Sequence, residues 1–479
     1  MMRSMFSAVS GLRIHQTKMD VIANNISNVN TNGFKSSRVT FAEIFAQTTS
    51  GASGASDATG RGGTNPMQIG LGGTVASIDL SMTQGAAQRT DNPYDLMIQG
   101  EGFFIVGDGS GTYFTRAGAF RLDEAGNLVN PSGLIVQGWD RVWNNEDKEY
   151  EIQKGTVTGI QITPDKQYAA PSATTKITFE DNLNANDLQN LTIGGASEKG
   201  HVATVSFYDS LGNRYISKVV IHNPAAVTGG TPQTTWAFDL YDDGSVGNQS
   251  NPAAGTGPYM WADGTDPSKP ENRIPLTAAG SAALIFDSNG LLVSAGGNTN
   301  GRIQLQVFPG VGIGTTPAPP AGATFGDNGT GNIILDFKNM TQFGNEVTNA
   351  KSYAVDGSAP GTLSGVSIGS DGKITGRYTN GNMLLLGQIA VARFRNPQGL
   401  EKAGDNLYVP TINSGEFDGI GEEVTADGSK MMGGVLEMSN VDLSQEFTEM
   451  ITTQRGFQAN SRVITTSDDM LQELVNLKR

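Results

Sequence analysis

The chain has 479 residues, enough for roughly two to four domains, and it lacks cysteine, which excludes disulfide bonds, thiol catalysis and cysteine-ligated metal. Its formal net charge of −15 argues against nucleic acid as a partner, because phosphate binding needs concentrated Lys and Arg. Glycine supplies 63 residues and charged side chains only 16% of the chain, a composition typical of a turn-rich folded protein and not of a charged disordered one.

Residues 1–30 predict an amphipathic helix with a narrow apolar stripe. Its apolar residues recur at intervals of four and three residues. We call this stripe the seam of the helix, and it comprises Met5, Val9, Leu12, Met19 and Ile26. Such spacing is typical of a helix that packs lengthwise on another helix. A surface helix packed on its own domain is the alternative interpretation of the same pattern.

The helix runs into an asparagine-rich segment that closes on Gly-Phe-Lys. Asn side chains hydrogen-bond nearby backbone groups and tolerate left-handed conformations, and Gly33 can supply a positive φ, so we expect the helix to end here. Local chemistry alone also fits a plain helix C-terminus with a glycine stop. The positions singled out in this segment are Asn24, Asn25, Ile26, Asn28, Thr31, Gly33, Phe34 and Lys35.

The next part of the chain is predicted as a connecting segment. Residues 31–73, together with 431–440, are expected to be extended and to link the ends of the chain to its centre. Within them the Gly-, Ser- and Thr-rich stretch 48–64 is either a disordered loop or a segment that orders only against neighbouring subunits.

Period-two alternation from residue 74 onward predicts β-structure in nested layers. Residues 74–151 and 341–430 are expected to form an inner β domain, and residues 152–340 an inserted all-β outer domain. Three Asp-x-x-Gly motifs, which begin at Asp123, Asp209 and Asp287, predict turns that close hairpins. A calcium loop is disfavoured because the remaining oxygen ligands are missing.

Residues 441–479 predict a second helix with the same four-three stepping. Its seam residues are Phe447, Met450, Phe457, Ile464 and Leu471, and Asp442 with Gln445 resembles a capping box at its start. Because isolated helices gain most of their stability from tertiary packing, we expect the two terminal helices to pack on each other and on further copies of themselves. The predicted fold class is multidomain α+β, with terminal helices forming a coiled-coil-like axial core and nested all-β domains of meander or barrel type inserted between them.

No constellation of residues supports catalysis. The three histidines, His15, His201 and His222, occur in a predicted helix and two predicted strands without a neighbouring carboxylate cluster. We therefore predict no enzyme activity, no cofactor and no metal site. No run approaches the ~18 apolar residues that span a bilayer, so we expect no membrane insertion. Residues 1–29 also lack the continuous apolar core and cleavage site of a secretory leader.

Residues 23–35 resemble the signature of the flagellar axial proteins, the family of rod, hook and related subunits. In that signature an Ala-Asn-Asn-Ile run is followed by Asn, Thr and a Gly-Phe-Lys close, and here only Ser27 departs from the usual alanine. Residues 434–443 and 451–460 are similar to the C-terminal motif of the same family. Two specific motifs at opposite ends of the chain, in the right order, make coincidence a poor explanation.

The resemblance implies the hook branch of that family, a structural subunit that polymerises with itself into a curved, flexible tube. Such a tube would act as a universal joint that passes motor torque to the filament, and it would surround the export channel. The implied partners are further copies of the chain, the distal rod protein, the hook cap protein, the hook–filament junction protein and the flagellar type III export apparatus. The implied location is the hook and basal body, outside the cell, without a cleaved signal peptide.

Two alternatives stay open at this point. Within the family, the chain could be a distal rod subunit, although such subunits usually lack so large an inserted β domain. From another class, it could be a secreted adhesin-like β protein, but an adhesin has no use for two long terminal helices that can meet.

Overall fold

The computed structural model describes residues 2–54, 60, 62–109, 111–144, 149–193, 196–226, 233–242, 259–262, 273–278, 283–307, 332–344 and 347–477. These residues are mostly β-strand, with one long helix near each end of the chain, which confirms the predicted multidomain α+β class. The chain divides into two compact units. The first comprises residues 1–166, 365–377 and 383–479, and the second comprises residues 167–364 and 378–382.

The helices are α1 (Met2–Ser27), the single-turn α2 (Pro164–Gln167) and α3 (Leu443–Leu477). Up to residue 159 the strands are β1 (Ser37–Glu43), β2 (Ala46–Ser50), β3 (Met67–Gly70), β4 (Gly73–Leu80), β5 (Ala87–Arg89), β6 (Leu96–Gln99), β7 (Phe103–Gly107), β8 (Thr112–Thr115), β9 (Arg121–Leu122), β10 (Leu128–Val129), β11 (Ile135–Asn144), β12 (Glu149–Ile152) and β13 (Thr158–Gly159).

The next strands are β14 (Tyr168–Ala169), β15 (Lys176–Asn182), β16 (Gln189–Ile193), β17 (Ala196–Tyr208), β18 (Arg214–Ala226), β19 (Thr234–Asp242), β20 (Tyr259–Ala262), β21 (Arg273–Ala278), β22 (Ala283–Phe286), β23 (Leu292–Ala295), β24 (Arg302–Val307), β25 (Asn332–Thr341), β26 (Lys351–Val355) and β27 (Gly361–Ile368). The chain closes with β28 (Lys373–Tyr378), β29 (Met383–Ile389), β30 (Val391–Ala392), β31 (Glu401–Gly404), β32 (Leu407–Val409), β33 (Lys430–Gly433) and β34 (Val435–Glu437).

Local side-chain hydrogen bonds cap the C-terminus of α1 and the N-terminus of α3. At the end of α1 the Asn28 side-chain amide donates to the Asn24 carbonyl at 2.9 Å. At the start of α3 the Asp442 carboxylate accepts from the backbone N–H of Ser444 at 2.8 Å, as an N-cap does. The second half of the predicted capping box is wrong, because the Gln445 side chain donates to Glu449 at 3.3 Å instead of to the cap backbone.

Residues 37–54 and 62–80 form a two-stranded antiparallel ribbon. β1 pairs with β4, and β2 pairs with β3 further along the same ribbon. The ribbon continues to a bridge between Ser53 and Thr64. Residues 55–59 and 61, part of the stretch predicted to be either disordered or ordered by neighbours, lie outside the described residues.

A sheet in the order β28-β29-β11-β7-β8-β32-β31 forms the centre of the first unit. Strand β7 is buried along its whole length, and it pairs with β11, β8 and β30. The core around it includes Phe103, Phe114, Trp139 and Tyr408. Strands β5 and β6 pair with β34 and β33, so the C-terminal segment returns to this part of the chain just before α3 begins.

The Asp-x-x-Gly motifs close hairpins as predicted, between β9 and β10, β17 and β18, and β22 and β23. In each turn the Asp carboxylate accepts the backbone N–H four residues on, at 2.6 Å from Asn127, 2.8 Å from Asn213 and 2.8 Å from Leu291. The glycine at the fourth position has a positive φ, for example +83° at Gly126, which explains why glycine stands there.

The second unit is β-structure around an aromatic core. Phe179 stacks on Phe337 with ring centroids 4.6 Å apart, and Phe238 meets Phe337 edge-on at 5.5 Å. Trp236 and Phe207 are fully buried in the same cluster. The predicted division into four layers, with boundaries at residues 30, 73, 151, 340, 430 and 440, remains a prediction beside this two-unit description.

Candidate functional site

The two long helices pack side by side in antiparallel orientation. The contacts are Ser4 with Ser467, Gly11 with Asn460, His15 with Gly456, Lys18 with Glu449 and Asn25 with Glu446. We call these ten residues the contact line. Its positions follow a heptad spacing, and Ala8, Ile22 and Thr453, each at most 4% exposed, fill intervening positions.

Two glycines allow the helices to approach closely, one on each helix. A Cβ on Gly11 would lie 2.6 Å from the Asn460 amide nitrogen, and a Cβ on Gly456 would lie 2.7 Å from the His15 ring. Each glycine therefore provides space for a polar side chain of the other helix. We call each glycine with the polar side chain opposite it a notch. Because the two notches are four residues apart on both helices, they fix the register of the pair.

We expect Gly456→Leu to destabilise the helix pair by about 1–3 kcal/mol through overpacking against His15. Leucine is more favourable than glycine in a helix by about 1 kcal/mol, so any loss of stability must come from the contact between the helices and not from α3 itself. Protection of the α1 amides from hydrogen exchange measures this loss. Adding His15→Ala should restore most of the protection, and Ser461→Leu, at an exposed α3 position, should cause no loss. Equal losses of protection in Gly456→Leu and Ser461→Leu would contradict a close contact between Gly456 and His15.

The contact line is displaced by about one residue from the predicted seam. In the single chain Met5, Leu12, Met19, Ile26, Met450, Phe457, Ile464 and Leu471 are partly buried, whereas Val9 and Phe447 are 39% and 50% exposed. The contact line contains small and polar residues, which a search for apolar spacing passes over. The predicted seam also concerns contacts between copies, and for those it remains a prediction.

The asparagine-rich segment joins α1 to α3 and to the ribbon. Asn25 is 1% exposed; its amide donates to the Ser37 carbonyl and to Glu446, both at 2.9 Å, and its carbonyl accepts the Ser37 N–H at 3.0 Å. Asn24, Asn28 and Thr31 make local bonds that end the helix. Phe34 is buried, and the Lys402 ammonium lies 4.8 Å from its ring centroid.

Lys35, Glu437 and Arg116 form a buried charge cluster at the close of this segment. The Lys35 ammonium donates to Glu437 Oε1 at 2.6 Å and to the Thr83 carbonyl at 2.8 Å. Arg116 Nη1 lies 3.7 Å from Glu437 Oε2. The side chains of Lys35, Glu437 and Arg116 are 1%, 0% and 6% exposed. Lys35 is part of the motif recognised in the sequence, whereas no local pattern marked Glu437 or Arg116 as its charged partners.

The cluster depends on the single carboxylate at its centre. Burial lowers the pKa of the Lys35 ammonium and of the Arg116 guanidinium, and in both groups the charge of Glu437 opposes that shift. Two buried cations thus share one anion. Removing the anion would deprive both cations of the carboxylate they share, which is costly in a region that excludes water.

Among the described residues, no group of three or more His, Asp or Glu side chains is arranged to hold a metal ion. Nor is any described helix both long and apolar enough to cross a membrane.

The comparisons with known proteins match family models to four parts of the chain. Residues 5–35 match the flagella basal body rod protein family, residues 97–196 the flagellar hook protein FlgE/F/G D1 domain, residues 180–358 the flagellar basal body protein FlaE D2 domain, and residues 432–477 the flagellar basal body rod FlgEFG protein C-terminal family.

Whole-chain relatives agree with these matches. The chain is 38% identical over 495 residues to the flagellar hook protein FlgE of Borreliella burgdorferi, covering 100% of both chains. It is 32% identical over 480 residues to that of Salmonella typhimurium, covering 99% of this chain and 100% of the relative. A flagellar basal-body rod protein FlgG of Bacillus subtilis is 29% identical, with 100% of both chains covered.

Proposed function

The chain belongs to the flagellar hook protein family and is a structural subunit of the hook, and on this basis we propose that its copies polymerise into a curved, flexible tube. The tube acts as a universal joint between the motor and the filament and surrounds the export channel. The resemblance to the flagellar axial proteins, predicted from both ends of the sequence, is confirmed.

The terminal helices form the axial core of this tube in the proposal. With 26 and 35 residues they are about 39 and 52 Å long at 1.5 Å per residue. Large apolar side chains remain exposed on both, including Phe6 at 68%, Phe447 at 50% and Ile451 at 52%. Such exposed apolar surface marks an interaction site. We propose that coiled-coil-like packing between copies covers it, while nested β domains of meander or barrel type surround the core.

The contacts between copies are heterologous in this proposal, since head-to-tail contacts that do not close generate a helical filament. The distal rod protein, the hook cap protein and the hook–filament junction protein meet the two ends of the tube, and the type III export apparatus delivers the subunit outside the cell. The ribbon, whose strands β2 and β3 are exposed, stiffens the assembly by lying against neighbouring copies. No catalytic task is assigned.

A distal rod subunit is the less well supported alternative. The rod relative is 29% identical, whereas the hook relatives reach 38%. An adhesin-like role receives no support from the family matches, which cover both terminal helices.

The proposal predicts that the exposed row on α3 drives assembly. We expect Phe447→Ser with Ile451→Ser to raise the concentration needed for polymerisation by about 100-fold, because burying two such side chains contributes about 3 kcal/mol or more. Sedimentation of polymers against concentration measures this. Phe447→Leu with Ile451→Leu keeps the row apolar and should assemble at nearly the original concentration. Unchanged polymerisation of the serine variant, with monomers folded by circular dichroism, would contradict a helical assembly surface.

A further inference from the structure

The proposed function uses the helices and the β domains but gives no task to the charge cluster where they meet. Within the first unit, the helix pair is connected to the sheet strands through two short segments, residues 28–36 and 438–442, which follow α1 and precede α3. We infer that Lys35, Glu437 and Arg116 form a clamp that fixes the direction in which the helix pair leaves the β part of this unit. These three are positioning residues.

The clamp ties the two connecting segments to each other. Gly33 N–H donates to the Glu437 carbonyl at 2.8 Å, and Ser36 N–H donates to the Asn440 side-chain carbonyl at 2.8 Å. With the ion pair between Lys35 and Glu437, the last residue of β34, three polar contacts join residues 33–36 to residues 437–440, which lie about four hundred positions away in sequence. Neither segment can turn without moving the other.

The clamp also ties both segments to the β part. Glu437 Oε1 accepts the Gly85 N–H at 3.0 Å, and the Lys35 ammonium donates to the Thr83 carbonyl at 2.8 Å. Asn440 donates to the Ser81 carbonyl at 2.8 Å. On the far side, Arg116 packs over the Phe103 ring with its guanidinium carbon 5.1 Å from the centroid. Phe103 belongs to the buried strand β7, so the cluster reaches the core of the sheet.

The chemistry of the cluster suits a fixed joint better than apolar packing would. Apolar surfaces can slide over one another with little change in energy, whereas a buried carboxylate loses much of its stabilisation when its donors move, because no water can replace them. Buried polar groups can thereby specify one geometry, as a hypothesis for this protein. The exposed pairs of the same unit, such as Lys373 with Asp371, lack this constraint because water solvates them.

This inference rests on the proposed function in one respect: it takes the helix pair and the β part of one subunit to occupy different shells of a tube. Torque that passes between those shells within a subunit then passes through residues 28–36 and 438–442, and also through the contacts of α1 with β1 and β4, where the Gly73 N–H donates to Ser10 Oγ at 3.3 Å. A rigid clamp at this point transmits the torque and leaves bending to contacts between subunits.

The absence of native cysteine makes a direct test possible. Gln458→Cys on α3 and Arg121→Cys on β9, both at exposed positions, carry spin labels, and pulsed electron paramagnetic resonance gives the distribution of distances between them. Measurements use the full chain as a monomer and in polymers where labelled copies are diluted with unlabelled ones. We expect Lys35→Met to widen the distribution about twofold or more, because the hydrogen-bonded link is lost.

Two further variants keep the test decisive. Lys373→Met removes the exposed pair with Asp371 and should leave the width unchanged. Arg116→Met leaves the Lys35–Glu437 pair in place, should widen the distribution less, and supplies the test if Lys35→Met loses its helices by circular dichroism. Unchanged widths in both clamp variants, with helix content intact, would overturn the clamp. If no chain polymerised, including the unsubstituted one, the proposed function would fail, and the monomer distributions would still decide on the clamp.

Discussion

Glu437→Gln is expected to lower the free energy of unfolding around the charge cluster by about 3–5 kcal/mol, the usual cost of breaking a buried ion pair from one side. The substitution keeps the size of the side chain and removes the only anion that faces Lys35 and Arg116 within the cluster. Hydrogen exchange in β5 and β34, which pair beside the cluster, measures the loss.

Glu449→Gln is the matched control for this change. Glu449 also pairs with a lysine, Lys18, at 3.2 Å, but it is 40% exposed and its partner 24% exposed. Surface pairs of this kind contribute about 0–1 kcal/mol. A similar small effect in both variants would mean that water reaches Glu437 and that the cluster is not a buried site.

Gly33→Ala is expected to lower the free energy of unfolding by about 2–5 kcal/mol. Gly33 has φ +70°, a conformation that costs an L-residue about 1–2 kcal/mol. An added Cβ would lie 2.6 Å from the Ala117 backbone nitrogen and 2.7 Å from the Arg116 carbonyl carbon. Because the clashing atoms belong to the backbone, they cannot rotate away, and overpacking adds about 1–3 kcal/mol.

Gly133→Ala separates these two contributions. Gly133 has φ +84° and nothing within 4 Å of the added Cβ, so only the cost of the backbone conformation, about 1–2 kcal/mol, should remain. Denaturant unfolding of both variants gives the comparison. If the two substitutions lower the free energy of unfolding equally, glycine is required at position 33 only for its φ angle, and the close approach to residues 116 and 117 makes no contribution to stability.

The sequence allowed the helices and hairpins to be predicted because their signals are local. The four-three stepping, the asparagine-rich close of α1, the Asp442 cap and the Asp-x-x-Gly turns each depend on residues within a few positions of one another. Periodicity reports which face of a helix is apolar, but it does not report which face meets the partner. Gly11 and Gly456 show this, since their contacts need small residues and not apolar ones.

The charge cluster could not be found from the sequence for a different reason. Lys35 and Glu437 are 402 positions apart, and nothing local marks either one as buried, because Lys and Glu are almost always exposed unless paired. Asn25 could be singled out as part of a motif, but its bonds to Ser37 and Glu446 depend on how the two ends meet. Long-range pairing of polar side chains is therefore the part of the site that required the structure.

Negative-stain electron microscopy after salt-induced polymerisation tests the central claim most directly. The unsubstituted chain is compared with one that lacks residues 2–27 and 443–477, the two long helices. We expect curved tubes from the intact chain alone, while the shortened chain keeps its β-structure by circular dichroism. Straight tubes from the intact chain would favour the rod alternative, and tubes from the shortened chain would contradict an axial core built from the terminal helices.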